Sequence, residues 1–425
     1  MKGCGPLVGS IIRWEVALEA VQKGGHTART PATCPNRNCG PPGLYHGAMT
    51  LEYIDSARHA ETAVAELAGE SSLALDCEAA GFHRYSDRLC LVQISTPAGR
   101  DLIFDPLEVE LGDLLRPLLE DPGRTLFMHG GDYDLRLLDR DLGINPRGVF
   151  DTQVAASLLG LPGLGLAALL EEHFQVRLSK KYQRADWAAR PLEQGMLEYA
   201  AADTRYLHPL AERLRHQLTE KGRAAWAQEE FRLMEAIRWS QEEPDDPVTR
   251  VKGARKADPR TVTRLREALA WRDELARDQD RAPFRVAPDS VLLDVAADPP
   301  RNAHDLARMK GINPRVARTY GDDLLDRLRR VDDLAPDQLK GYPRFDRSGP
   351  GRPPPEVEEL AERLKRERNR LAEDLGLDRG VLLSNALVLE IARTTPSTPE
   401  ELLRVEGVRR WQVEVLGDRL LAVLA

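Results

Sequence analysis

Apolar and polar positions change period along this chain, and the changes mark its parts. From Thr50 to Leu67 apolar residues recur at helical spacing, which predicts a helix. Three short β-rich runs follow, Ser72–Leu75, Leu89–Ser95 and Asp101–Phe104, broken at Ser86-Asp87 and at Pro97-Ala98-Gly99. Connections this short predict an antiparallel meander. The pattern then alternates: a helix over Leu111–Leu119, a strand over Thr125–Met128, a helix over Asp134–Leu142 and a short strand ending near Phe150. Helical spacing continues from Thr152 to about Lys221 and again over Ala224–Ser240, where the acidic, proline-bearing Glu242–Pro247 reads as a linker.

Three antiparallel strands followed by alternating helices and strands is the order of a ribonuclease H-like α/β domain, here with a mixed five-stranded sheet. The later part of the chain is all helical in pattern and contains a repeat. Displaced by 96 residues, Leu293-Asp-Val-Ala296 falls on Leu389-Glu-Ile-Ala392, Arg272 on Arg368, Gly311 on Gly407 and Gly321 on Gly417. Two copies are too few for a solenoid. They predict two small helical domains of about 75 residues, a size that folds alone. The expected division is 49–240 for the α/β domain, 248–330 and 356–425 for the helical domains, and 331–355 for a stiff linker containing Gly-Pro-Gly and Pro-Pro-Pro.

Residues 1–48 show no sustained period and are expected to be a disordered extension. Cys34 and Cys39, with His26 and His46, can be drawn as a zinc site, but the histidines lack the usual pairing. Well-patterned sequence begins at Met49, which also offers an alternative translation start. The five cysteines of the 425 residues have no framework spacing. With 42% hydrophobic and 30% charged residues, the composition is that of a soluble globular protein. No apolar run reaches the roughly 20 residues that span a bilayer, so a cytoplasmic location without a membrane partner is expected.

The net charge of −8 is unevenly spread. Residues 248–330 hold nineteen Lys and Arg against thirteen Asp and Glu, whereas residues 352–425 hold twelve against fourteen. The acidic excess therefore sits mainly in the α/β domain, as carboxylates gathered for metal binding would place it. The densest basic stretch, Arg250–Lys256, opens the first helical domain, and Lys252, Arg255 and Lys256 are candidates for phosphate contacts. The bland alternative is a solvated charge run.

Three short motifs could carry chemistry. Leu73-Ala-Leu-Asp76-Cys77-Glu78 is a strand whose alternation puts Asp76 and Glu78 on one face, about 7 Å apart at Cα. That spacing suits a pair of divalent ions about 3.5–4 Å apart. In His129-Gly-Gly-Asp132-Tyr-Asp134, Asp134 falls in the first turn of a helix and Asp132 reads as its N-cap. Tyr199 and Asp203, four apart on a helix among alanines, share a face. Each motif alone also fits a structural reading, because D-x-E is common, acids favour helix starts, and tyrosines pack in cores. His129 reads as a hydrogen-bonded structural histidine, and Cys77 and Cys90 as small core residues.

In this order and on these elements, Asp76-x-Glu78, Asp134 and Tyr199-x3-Asp203 resemble the DEDD exonucleases of the tyrosine subclass and, more narrowly, the ribonuclease D family. Leu89-Cys-Leu-Val-Gln-Ile94, Phe150–Gly160 and Gln183-Arg-Ala-Asp-Trp187 extend the match, and the two repeats resemble HRDC domains. The resemblance spans about Met49 to Ala425. It implies a metal-dependent 3′→5′ exoribonuclease that trims single-stranded 3′ ends of RNA, tRNA precursors among them, and releases nucleoside 5′-monophosphates. It implies two divalent cations, Mg²⁺ or Mn²⁺, with Asp76 bridging both. Glu78 and Asp203 would complete the site of the attacking water, Asp134 would serve the second ion, and Tyr199 would orient the water. Phe82, Lys181, Arg184 and Trp187 are candidates for stacking on bases or pairing with phosphate near that site, and Trp187 reads equally well as a core residue. No obligate protein partner is indicated. The alternatives are a 3′→5′ DNA exonuclease and a non-catalytic RNA-binding protein on the same fold.

Overall fold

The computed structural model describes residues 49–240, 246–343 and 353–425. The expected extension 1–48 with its zinc candidates, residues 242–245 of the acidic linker and the Gly-Pro-Gly of the second linker lie outside them. One mixed sheet organises the first part. Its strands are β1 (Thr50–Ile54), β2 (Ser72–Ala79), β3 (Leu89–Ser95), β4 (Arg100–Phe104), β5 (Thr125–Met128) and β6 (Val149–Asp151), in the spatial order β1-β4-β3-β2-β5-β6. β2, β3 and β4 form the expected antiparallel meander, while β1, β5 and β6 join their neighbours in parallel.

The sheet is mixed as expected but has six strands, not five. Thr50–Ile54, read as the start of a helix, is an edge strand along β4, and the helix α1 begins only at Ala57 (Ala57–Leu67). Thr50, Tyr53 and Ile54 are β-branched or aromatic, and they prefer a half-buried pleated surface to a helix. β2 also runs four residues past its expected end, so Asp76 and Glu78 stand within the ladder.

Helices cover both faces of the sheet: α2 (Gly112–Leu119), α3 (Asp132–Leu137), α4 (Thr152–Leu159), α5 (Leu166–Phe174), α6 (Gln194–Arg205), α7 (Leu207–Glu220) and α8 (Ala224–Met234). Strand alternation sorts β2 between them. Leu73, Leu75 and Cys77 join the core under α1 and α2, and Cys77 and Cys90 are buried as expected. Asp76 and Glu78 point to the other face, over which α6 is laid.

The two repeats fold alike. The first comprises α9 (Pro259–Asp278), α10 (Pro283–Val286), α11 (Asp289–Ala297), α12 (Ala303–Leu306) and α13 (Pro314–Asp332). The second comprises α14 (Pro355–Leu375), α15 (Arg379–Leu382), α16 (Asn385–Thr394), α17 (Pro399–Arg404) and α18 (Arg410–Leu424), so every helix starts 96 residues after its counterpart. The paired arginines do the same work in both copies. Arg272 donates to the carbonyl of Ala287, and Arg368 to that of Leu383, closing the turn after the short second helix.

The copies differ in how they meet the α/β domain. The second shares a continuous core with it. Trp411 stacks on Trp226 of α8 with ring centroids 4.8 Å apart, and its indole N–H donates to Glu230 at 2.8 Å. Buried Arg223 spans the joint, donating to the carbonyls of Leu158 at 2.7 Å and Leu375 at 2.6 Å. Gly160 lets the backbones close in, since a Cβ there would lie 1.8 Å from the carbonyl oxygen of Gly376. The first copy keeps its own core and reaches the α/β domain through the β2–β3 connection, where Tyr85 packs against it. Among the described residues no helix is long and apolar enough to cross a membrane.

Trp411 is 2% exposed at a joint between domains. Trp411→Ala should therefore cost about 3 kcal/mol and make the second helical domain sensitive to protease under native conditions. A variant as resistant as the parent would show that the Trp226–Trp411 stack does not hold the domains together.

Candidate active site

Each functional side chain is placed by an identifiable local cause. Asp76 and Glu78 share a face of β2 through strand alternation, and the ladder shifts register between Glu78 and Ala79 as the strand leaves the sheet. Asp134 stands in the first turn of α3, which follows the Gly130-Gly131 turn. Gly130 has φ +66°, and a Cβ on Gly131 would lie 2.7 Å from the Met128 side chain, so this turn requires its glycines. Asp132 is not the N-cap expected from the sequence. Gly131 takes that position, and Asp132 is an exposed side chain paired with Arg136 at 2.9 Å.

The cap in this region is Asp151, fully buried at the end of β6. One of its oxygens accepts from the Gln153 and Val154 amides that open α4, and the other accepts from the amide of Gly131 at 2.8 Å. One carboxylate thus ties two helix starts together and fixes the turn before Asp134. Sequence reasoning gave Asp151 no role, although aspartate just before a helix is an N-cap signal. His129 is the hydrogen-bonded structural histidine expected, 2.9 Å from the Thr152 hydroxyl.

Helix α6 brings Tyr199 and Asp203 over the same face. It is pinned by neighbours of Asp203: the Ser95 and Thr204 hydroxyls are 2.6 Å apart, and Arg205 donates to buried Asp101 at 2.7 Å. Ala200 and Ala201 are fully buried, which lets the helix backbone lie close to the sheet. As a result Asp76, Glu78 and Asp203 each present an oxygen within 4.8 Å of the others. Asp134, 8% exposed, borders this cluster and acts on it electrostatically.

Burial and mutual repulsion dominate the chemistry. Burial raises the Asp76 carboxyl well above the usual range, and Asp134, Asp203 and Glu78 add to the effect. Glu78 is raised by burial and then by Asp203 and Asp134. Asp203 is pushed up to about 7 by burial, and Asp134 to about 7 by burial followed by Asp151 and Asp132. The Tyr199 hydroxyl is raised by burial and by Asp203, which keeps its proton in place. Such a set calls for positive charge. Its donors are all oxygen, which suits hard divalent cations rather than zinc. Gln93, directly across the ladder from Asp76, is fully buried, and its amide has no hydrogen-bond partner. A buried amide costs free energy unless it is satisfied, so hydration of a bound ion would fit beside it.

A cavity of about 400 Å³ opens beside the cluster, lined by Glu78, Phe82, Asp87, Tyr133, Gln183 and Trp187 among others. Tyr133 donates to Asp87 across it. Phe82 is 38% exposed on the rim, with Arg184 5.5 Å from its ring. Lys181 is exposed and donates to Tyr182, whose ring packs against Tyr199. Trp187 takes the core reading, one of the two that the sequence leaves open. It is 3% exposed and lies 6.0 Å from the Tyr199 ring, so burial removes it as a platform for bases and makes it a support for Tyr199. Lys252, Arg255 and Lys256 are exposed at the start of the first helical domain and make no hydrogen bond or ion pair with the site residues.

A ribonuclease H-like sheet bearing this acidic cluster, with a tyrosine one helical turn from its last aspartate, defines a metal-dependent 3′→5′ exonuclease. Comparison with known proteins agrees. The 3′-5′ exonuclease family model matches residues 51–219, and the HRDC domain model matches residues 262–328 and 357–424. The chain is 31% identical to ribonuclease D of Pseudomonas paraeruginosa over 83% of its own length and 92% of the relative's. It resembles the crystal structure of Escherichia coli RNase D, an exoribonuclease involved in structured RNA processing, with a TM-score of 0.61 at 26% identity, covering 88% of this chain and 99% of that one. A crystal structure of a protein from Bifidobacterium adolescentis gives a TM-score of 0.73 at 26% identity, over 88% and 96%. The chain belongs to the ribonuclease D family, and its activity is that of a 3′→5′ exoribonuclease acting on nucleic acid.

The raised carboxylates make stability depend on pH. Asp134 and Asp203 protonate near pH 7 when folded, against about 4 when unfolded. Because the folded values are the higher ones, their contribution to stability is complete below about pH 4. It is lost as pH rises through about 7. Protein in chelator should therefore gain more melting temperature from added Mn²⁺ at pH 8 than at pH 5.5. Asp203→Asn should raise the melting temperature of the chelated protein at pH 8 by several degrees; a lower one would mean that the carboxylates do not repel as described.

Proposed function

We propose that this enzyme uses two Mg²⁺ or Mn²⁺ ions to remove nucleotides singly from free 3′ ends of tRNA precursors and other structured RNAs. The observation that carries the reading is the convergence of Asp76, Glu78 and Asp203 within 4.8 Å beside a cavity of about 400 Å³. That space suits one terminal nucleotide and not a duplex, which favours an exonuclease. Asp76, Glu78 and Asp203 would hold one ion, and Asp134 with Asp76 the other. When bound, the ions supply an activated water, a compensated phosphate and a stabilised leaving 3′-oxygen.

Tyr199, protonated and braced by Trp187, would hold the water in line with the phosphorus through its hydroxyl; its raised pKa disfavours a role as general base. Phe82, Arg184 and Lys181 would meet the RNA at the rim. Lys252, Arg255 and Lys256 would add affinity without sequence preference. A cytoplasmic location and action without an obligate protein partner go with this substrate.

The test is to incubate the purified protein with matched RNA and DNA duplexes carrying single-stranded 3′ tails, with and without Mn²⁺. Nucleoside 5′-monophosphates should appear from the RNA tail only with metal, and a 3′-phosphate on that tail should slow their release strongly. Faster attack on DNA, or internal cuts in circular RNA, would overturn the reading.

Variants separate the roles. Asp76→Asn should reduce hydrolysis to background while RNA binding persists. Tyr199→Phe, which loses only the hydroxyl, should lower turnover by about 10²-fold. An unchanged rate would make Tyr199 a packing residue. Charge reversal at Lys252, Arg255 and Lys256 should raise KM and flatten the salt dependence of binding. An unchanged KM and salt slope would make this stretch a solvated charge run.

A further inference from the structure

The β2–β3 connection carries Phe82 from the rim of the catalytic cavity to the first helical domain. There its ring lies 5.5 Å from that of Phe284, the second residue of α10, at a tilt of 55°. Both rings remain open, Phe82 38% and Phe284 48% exposed. The guanidinium groups of Arg184 and Arg285 lie over the Phe82 ring, 5.5 and 4.8 Å from its centre, and Arg285 also lies 6.0 Å from the centre of the Phe284 ring. Among the described residues neither arginine pairs with a carboxylate, so their charge is available to a polyanion. We propose that Phe82 and Phe284, flanked by Arg184 and Arg285, form an interdomain platform on which the RNA bases just upstream of the 3′-terminal nucleotide stack. This rests on the exoribonuclease reading and adds a subsite that the first helical domain helps to build.

Three observations carry the proposal. The platform is continuous with the cavity, because Phe82 lines it together with Glu78. A strand whose last nucleotide enters this cavity along its Phe82 side would meet the platform. The chemistry is complementary, with aromatic faces for bases and unpaired arginines for the phosphates between them. The geometry is also fixed in advance. Arg285 donates to the Phe82 carbonyl at 2.8 Å, Ala282 donates to the His83 carbonyl at 3.0 Å, and the Tyr85 hydroxyl donates to Asp273 at 3.1 Å. On the exonuclease side, Arg84 pairs with Asp186 at 2.8 Å and reaches Asp280 of the first helical domain at 3.5 Å. A joint needing only adhesion would bury its two phenylalanines; here both stay open, Phe82 at the cavity and Phe284 next to it. Stacking reads no base edges, so the platform accepts any sequence, as an enzyme moving along a 3′ tail requires.

The test uses the full chain in chelator, so that nothing is cleaved, and a 3′-tailed RNA with 2-aminopurine at the third position from its end. Stacking should quench the fluorescence on binding. Phe284→Ala should abolish the quenching and weaken binding by about ten-fold, and Phe284→Trp should restore both. Phe82→Ala, which truncates the other ring, should produce the same two losses, so the decision does not depend on one variant folding. Quenching and affinity left intact by both alanine variants would overturn the platform and mean that this face receives something other than RNA. If the parent releases no nucleotides with Mn²⁺, the exoribonuclease reading fails, while the quenching still decides the platform.

Discussion

Carboxylates confined in one buried cleft lose their hydration and repel each other, and this burial cost, with the repulsion added to it, is the constraint on which the rest of the structure depends. Asp76, Glu78, Asp134 and Asp203 all carry pKa values pushed upward, with burial as the first cause in each case. A fold that only sought stability would separate them or replace them. This one gathers them, and must hold four side chains in place against their own electrostatics. Divalent cations held there would turn that cost into affinity, and the same focused charge would organise the water and phosphate of the reaction.

Much of the surrounding structure can be read as the means of holding them. Asp151 ties α4 to the Gly-Gly turn before Asp134. Arg205, Asp101, Ser95 and Thr204 lock α6 to the meander beside Asp203. Trp187 fills the space behind Tyr199. The helical repeats brace the same domain from two sides, one through the Trp226–Trp411 stack and the other through the connection that leaves the Asp76–Glu78 strand. Two copies of one fold, identical in helix spacing, therefore serve different surfaces because different residues lie at their joints.

The sequence disclosed what local periodicity controls. Alternation put Asp76 and Glu78 on one face, the four-residue spacing put Tyr199 beside Asp203, and a gapless repeat marked the helical domains. It did not disclose what depends on partners distant in the chain. Thr50–Ile54 is a strand because β4, some fifty residues on, supplies its ladder. Asp132 resembles a cap, but Asp151 reaches the turn from another strand and Gly131 takes the cap position. For Trp187 the sequence leaves stacking and core equally open, and the fold decides by burying it beside Tyr199. The pairing of Phe82 with Phe284 was invisible because two hundred residues separate them, and only domain docking brings the rings together.

The central claim is that burying mutually repelling carboxylates together prepares the metal site, and proton release measures it most directly. Mn²⁺ can be titrated calorimetrically into the chelator-free protein near pH 6.5, in two buffers of different ionisation enthalpy. The account predicts binding that expels about one proton or more, since Asp134 and Asp203 titrate near 7 before the ion arrives. It also predicts that Asp76→Asn loses most of the affinity. Binding without proton release, or binding of undiminished strength in that variant, would contradict it.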